Sequence, residues 1–352
     1  MSQPAQRRDA LRRASRRKGL LLWPAVLVMV LVGLGVALYI NNFGPAQEYT
    51  GPVETLRVGS VSEFSLLLLA ADRHGYFREN GLDIKLKEYA TGAAAFKGLQ
   101  DKEVDISAAS DFVGVRGSFS TQDFRIITSI FHTPELFRLV ARKDRAIQKP
   151  GDIQGKRVGL TKNTAGEFFL STLLTFNNLS MKDVTPVYGE PPELTKLILD
   201  GKVDAVISAR YHTHQIDQAL GGGGAVFPAQ SNTFAYQLLY AQHSLAEQQP
   251  DTLRRFLQAL VQAENYLNSH PDEVRLLLAD KFKRPDEYIT GVLPQFHFTL
   301  SLNQSMILAM EDEARWVMST RPAQTMKLPN YLDFTYFDGL EKVKPEAITI
   351  IR

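Results

Sequence analysis

The chain has 352 residues, 40 Lys and Arg against 38 Asp and Glu, a net charge of +2 and no cysteine. The missing cysteine excludes disulfides, thiolate-bound zinc, iron–sulfur clusters, a thiol nucleophile and a lipoprotein anchor, while the length suits two lobes of roughly 100–200 residues each. Charge is unevenly placed, because Arg7, Arg8, Arg12, Arg13, Arg16, Arg17 and Lys18 face only Asp9 in the first eighteen residues; the remaining body is slightly acidic, and nucleic acid is not an expected partner.

Residues 1–18 therefore read as a basic cytoplasmic tail. Residues 19–40 carry no charge, and a helix of that length at roughly 1.5 Å per residue crosses a ~30 Å hydrocarbon core. With the basic cluster before it, the N-terminus stays inside and the rest is exported. The expected location is the inner (cytoplasmic) membrane, single-pass, with the body in the periplasm or outside the cell. Length favours an uncleaved anchor over a cleaved signal peptide, whose apolar region spans ~7–15 residues. Gly35-Val36-Ala37 is the small-x-small site of that alternative, and Arg16-Arg17 faintly resembles a twin-arginine signal. Residues 41–53, with Gly44, Pro45, Gly51 and Pro52, form a linker.

Residues 56–61 predict a strand, and Leu66, Leu67, Leu69 and Ala70 a helix that stops at Gly75. Gly81 closes a tight turn, since it takes positive φ without strain. A second strand covers 83–88, a short helix 93–99, a third strand 104–108 and a fourth 125–131. Residues 136–141 read as extended, the first crossing between lobes. The plan then repeats with a strand over 156–160 and a helix over 165–176, whose start Thr164 and Glu167 fix as a capping box. A strand over 184–188 follows, then a helix over 192–199 with proline in its first turn and a strand over 203–208. Gly221 to Gly224 make a flexible turn, 225–227 is extended, and 231–239 returns to the first lobe. Apolar residues at helical spacing predict helices over 251–268, 272–282, 286–295 and 303–319. Lobe I is then 54–137 with 236–352, and lobe II is 138–235.

Gly75-Tyr76-Phe77, Gly81-Leu82, Thr91-Gly92, Val104-Asp105-Ile106, Gly155-Lys156-Arg157-Val158-Gly159, Leu199-Asp200-Gly201-Lys202-Val203-Asp204-Ala205 and Val343-Lys344-Pro345-Glu346-Ala347-Ile348 follow in that order. Together they resemble the solute-binding proteins of ABC importers for nitrate, sulfonates, taurine and thiamine-precursor pyrimidines, and the resemblance covers most of 56–352. It implies an α/β, two-lobed periplasmic-binding-protein type II fold, here with an N-terminal transmembrane helix, that closes over a small-molecule ligand. The implied partners are an ABC permease and its ATPase, with the inner membrane reached through one helix; no cofactor is implied. A membrane-tethered sensing or scaffolding ectodomain with the same fold is the alternative. Related fungal pyrimidine synthases share the fold but use a cysteine-rich segment that this chain lacks, so no enzyme is expected.

In parallel α/β sheets, ligands collect at the carboxyl ends of strands, where helix starts supply free N–H groups. That rule selects Ser62, Glu63 and Phe64 after the first strand, Thr91 and Gly92 after the second, Ser110 and Asp111 after the third, and His132 after the fourth. From the second lobe it selects Asn163, Thr164, Ala165 and Arg210, with Ser231 and Asn232 on the return crossing. Arg210 either forks onto a sulfonate, carboxylate or phosphate or pairs with Glu63 or Asp111 across the cleft. His212-Thr213-His214 with Asp217 lack a third fixed ligand, so no metal is expected. No Walker loop, Rossmann fingerprint or GxSxG elbow occurs, and no catalytic set is expected.

Overall fold

The computed structural model describes residues 49–230, 233–320 and 326–351. The expected membrane anchor at 19–40 lies outside them; among the described residues no helix is long and apolar enough to cross a membrane. The strands are Glu54–Ser60 (β1), Leu82–Glu88 (β2), Ile106–Ser110 (β3), Phe124–Thr133 (β4), Phe137–Arg142 (β5), Arg157–Leu160 (β6), Thr185–Tyr188 (β7), Ala205–Ala209 (β8), Gly224–Pro228 (β9) and Ala235–Gln242 (β10). They form two sheets, ordered β2-β1-β3-β10-β4 and β7-β6-β8-β5-β9. In each, three strands run parallel and the fourth in order is antiparallel to both neighbours. A helix follows each parallel strand: Leu66–Arg73 (α1), continued by the short Tyr76–Glu79 (α2), then Gly92–Gln100 (α3), Asp111–Ser118 (α4), Ala165–Phe176 (α5), Pro191–Leu199 (α6) and Arg210–Ala219 (α7).

The remaining helices are His243–Gln248 (α8), Pro250–Ser269 (α9), Pro271–Asp280 (α10), Asp286–Val292 (α11), Gln304–Ser319 (α12) and Asp338–Val343 (α13). The amphipathic α9 buries Leu253, Phe256, Leu257, Leu260 and Leu267 against α1 and α2, with Phe256 stacked on Phe77 at 5.3 Å. Because this burial rests on apolar spacing, the helix was legible from sequence.

The two sheets repeat one clamp. Arg57 in the middle of β1 donates from its backbone N and Nε to Asp105 Oδ2 and from Nη2 to Oδ1, and Arg157 on β6 treats Asp204 in the same way. Each clamp ties the first parallel strand of its sheet to the third, and each reads Arg-Val-Gly followed downstream by Val-Asp. The glycine of the motif is required by packing: a Cβ on Gly159 would stand 3.0 Å from Leu194 and 3.1 Å from Val206.

Three of the departures from the sequence expectation bear on the site. Residues 137–142 are not a bare crossing but β5, paired with β8 and β9, so the passage between sheets is the shorter stretch after β4. α4 was not foreseen because Gly114 and Gly117 weaken helix propensity. Both are needed there, since a Cβ at Gly114 would stand 2.2 Å from the Tyr240 hydroxyl and one at Gly117 2.5 Å from the Phe96 ring. α7 was missed because its polar sequence carries only one strongly buried apolar side chain, Ile216.

Gln230, 6% exposed, joins the two passages between the sheets. Its Oε1 accepts from the backbone N of Leu136 and of Phe137 (2.9 Å for the latter), and its Nε2 donates to the Thr133 carbonyl at 3.3 Å. Gln230→Ala orphans two backbone N–H groups and is expected to cost about 1–3 kcal/mol. Urea unfolding checks it; an unchanged midpoint would mean that the amides of Leu136 and Phe137 find other acceptors.

Candidate functional site

The carboxyl ends of the parallel strands and the helix starts after them hold most of the residues selected from sequence, whereas His132 lies within β4 and pairs with His297. Thr91 caps α3, its hydroxyl accepting from Ala94 N at 3.1 Å. Thr164 caps α5 by accepting from Gly166 N. The expected capping box is altered: the Glu167 carboxylate accepts from Asn163 N at 2.8 Å, one residue earlier than Thr164. Asn163 adopts φ 64° and Ser62 φ 41°, left-handed conformations that cost energy in non-glycine residues and gather at functional loops. Ser62, Thr91 and Asn163 are exposed, Gly92, Ser110 and Thr164 half-buried, and Ala165 buried. A Cβ on Gly92 would lie 3.2 Å from the Ala109 Cα, so α3 starts hard against β3. Ser231 and Asn232 lie outside the described residues.

Among the described residues, elements that follow the strands of the two sheets meet on two sides of the site. On one side Arg116 of α4 donates to Asn163 Oδ1 at 2.7 Å, and Phe112 and Phe168 lie 6.5 Å apart. On the other, Glu63, 2% exposed, accepts from Arg284 Nη2 at 2.7 Å. The same guanidinium lies 3.5 Å over the ring of Tyr211 on α7. Lys281, three residues before it, binds Glu88 at the end of β2 at 2.5 Å, so the turn between α10 and α11 is pinned across the ends of β1 and β2. Phe64 joins an aromatic cluster with Phe131 (5.0 Å) and Phe296 (6.3 Å).

Arg210 is 8% exposed and pairs with neither Glu63 nor Asp111. It donates to Glu135 at 3.1 Å, to the Gly291 carbonyl at 2.7 Å and to Gln295, which ties the start of α7 to α11 and the turn after it. Arg284 takes the partnership with Glu63 that sequence reasoning had offered to Arg210. No local signal pointed to Arg284, since 221 residues separate it from Glu63.

Asp111, 1% exposed, accepts from the backbone N of Phe112 (2.9 Å) and of Tyr236 (3.1 Å). Burial nevertheless pushes its carboxyl up to about 7. Glu313 of α12 is also buried, its Oε2 lacks a hydrogen-bond partner, and burial, reinforced by the Asp111 charge, pushes it well up. His132 stacks on His297 at 4.9 Å, and burial, then His297, pulls it down to about 4, leaving it neutral at pH 7. His212 and His214 sit two apart on a helix, which sends them to different sides. His212 approaches Ser208 and His214 approaches Tyr288; among the described residues no group of three such side chains is placed to hold a metal.

The sequence model of the family described as NMT1/THI5 like matches residues 64–274. A Haemophilus influenzae protein named for thiamine biosynthesis is 28% identical over 211 residues, covering 58% of this chain and 66% of the relative, just under two thirds of its length. A Bacillus subtilis protein named for binding aliphatic sulfonates is 24% identical over 269 residues, covering 75% and 78%. Among solved structures, the alkanesulfonate-binding protein SsuA from Xanthomonas axonopodis pv. citri bound to MOPS superposes with a TM-score of 0.67 at 18% identity, over 85% of this chain and 99% of that one. The desulfurization enzyme DSZB also shares the fold, with a TM-score of 0.61 at 14% identity over 83% and 99%.

Proposed function

This chain belongs to the NMT1/THI5-like family, and from that membership we propose that it is the extracytoplasmic solute-binding component of an ABC-type importer. Lobe I, residues 54–137 and 236–352, and lobe II, residues 138–235, close over a small polar solute and present the closed form to a membrane permease. Residues 19–40 tether the body to the membrane. The observation that carries the reading is the meeting of strand-end loops from both sheets, Glu63 with Arg284 over Tyr211 and Arg116 with Asn163. Ligand contacts from both sides would strengthen such a closed form. Helix starts at Thr91 and Thr164 offer N–H groups to an oxygen-rich group. The relative named for sulfonate binding makes an alkanesulfonate the first solute to try, ahead of nitrate and pyrimidines. The fold is also used by an enzyme; no catalytic step is proposed.

Thermal melting of the full-length protein with ethanesulfonate, taurine, nitrate and 4-aminopyrimidine at millimolar concentration tests the proposal. A solute at ~100 times its dissociation constant adds about 2.7 kcal/mol, a shift of several degrees for a body of this size. Asn163→Ala and Thr91→Ala are expected to shrink that shift. A flat panel would remove these solute classes, and a shift undiminished in both variants would remove the site.

A further inference from the structure

A cavity lies off the cleft, lined by no described residue of the β7-β6-β8-β5-β9 sheet or its loops. It is an open-mouthed pocket of about 450 Å³ between α9, α10 and residues 293–299, beside the end of β4, within the range of small-molecule pockets. Leu267, Val274, Leu293, Phe296 and Phe298 make its walls apolar. Its one carboxylate is already neutralised, since Glu264 accepts from Lys344 Nζ at 2.6 and 2.7 Å and from the Thr299 hydroxyl. A charged ligand therefore meets no free counter-charge there, and desolvating it would be costly.

The polar handle is His132. It lines the cavity with His297, the two rings stacked at 4.9 Å and 22°, and its enclosed Nδ1 has no hydrogen-bond partner. An enclosed orphan N–H costs more than an enclosed orphan lone pair, so the neutral ring carries its proton on Nε2 and offers a donor. We propose that this cavity is a second binding site, for a neutral planar heteroaromatic molecule whose ring nitrogen or carbonyl accepts from His132. Its far wall adjoins Gln295, which receives Arg210 from the other sheet, so the site borders one of the ties between the sheets.

Calorimetric titration of the full-length protein at pH 7.5 with quinoline, and with indole as a planar probe of similar size lacking a ring acceptor, tests this. Quinoline is expected to bind saturably and at least fivefold more tightly than indole. Asn268→Trp and Val274→Trp, which fill the cavity, should raise the quinoline Kd at least tenfold; Asn268 is the exposed position and keeps the test valid should the Val274 variant fold poorly. His132→Phe should erase the preference over indole, and Asn163→Ala in the cleft should leave quinoline binding unchanged. Absence of saturable binding, binding retained in both tryptophan variants, or loss of binding with Asn163→Ala would overturn the proposal. Loss with Asn163→Ala would place quinoline in the cleft; the other outcomes leave solute capture there untouched.

Discussion

Arg284→Ala is expected to lower the unfolding free energy by about 3–5 kcal/mol, because it strands the Glu63 carboxylate, 2% exposed, without its counter-ion. Arg284 is itself only 15% exposed in its side chain, so the interaction is little screened by solvent, unlike the surface pairs of this protein. At about 2 °C per kcal/mol for a large body, the melting temperature should fall by roughly 6–10 °C. Adding Glu63→Gln to that variant should recover at least about 1 kcal/mol, since a neutral amide costs less to bury than an unpaired charge. If the double variant is no more stable than the single one, the loss comes from the Tyr211 stack and not from the ion pair. Because Arg284 rises from the turn before α11 and covers a ring on α7, the same variant should also loosen the contact between the sheets.

The largest pH effect is expected from Asp111 and Glu313. Both carboxyls are raised in the folded protein, Asp111 from 3.8 to about 7, so across that window the native state binds more protons than the unfolded one. Stability is therefore greatest at the acid end of that window and falls as pH rises through it. Raising one carboxyl from 3.8 to about 7 corresponds to a loss on the order of 2–4 kcal/mol by pH 8. Glu313→Gln keeps the shape and removes one of the two buried charges. It should be near neutral at pH 4.5, where the acid is protonated, and stabilising by about 1–3 kcal/mol at pH 8. Urea melts at the two pH values decide the matter; the same difference at both would show that the pair does not titrate with folding. The groups packed around it, the Tyr240 hydroxyl bonded to the Ser110 carbonyl at 2.9 Å and the Tyr331 hydroxyl near Ser118, titrate above this range and leave the window clear.

The strand-end rule selected Asp111 and Arg210 as readily as Thr91 and Asn163, because sequence position marks the end of a strand without marking which way a side chain turns. Asp111 turns inward to the amides of Phe112 and Tyr236, and Arg210 to Glu135 and Gly291. Thr91 and Asn163 stay at the loop surface. Arg116, Tyr211, Gln230 and Arg284 were not foreseen at all. Each acts through a partner at least 47 residues away or across the gap between sheets, and no local pattern records such a partner.

The sequence by itself determined the alternation of strands and helices, the doubling of that plan, and the amphipathic helices that cover the first sheet. These rest on spacing of apolar residues and on glycines at turns, which are local properties. It also carried the Arg-Val-Gly and Val-Asp pairs of the two sheets, though only their geometry shows them to be one clamp used twice. Tertiary structure alone decided that β5 pairs within the second sheet, that the glycine-bearing α4 is helical, and that Arg284 rather than Arg210 neutralises Glu63. Pairing of strands and of buried charges is settled by which surfaces meet when the chain closes, and the free energy of those meetings depends on burial that no stretch of sequence contains.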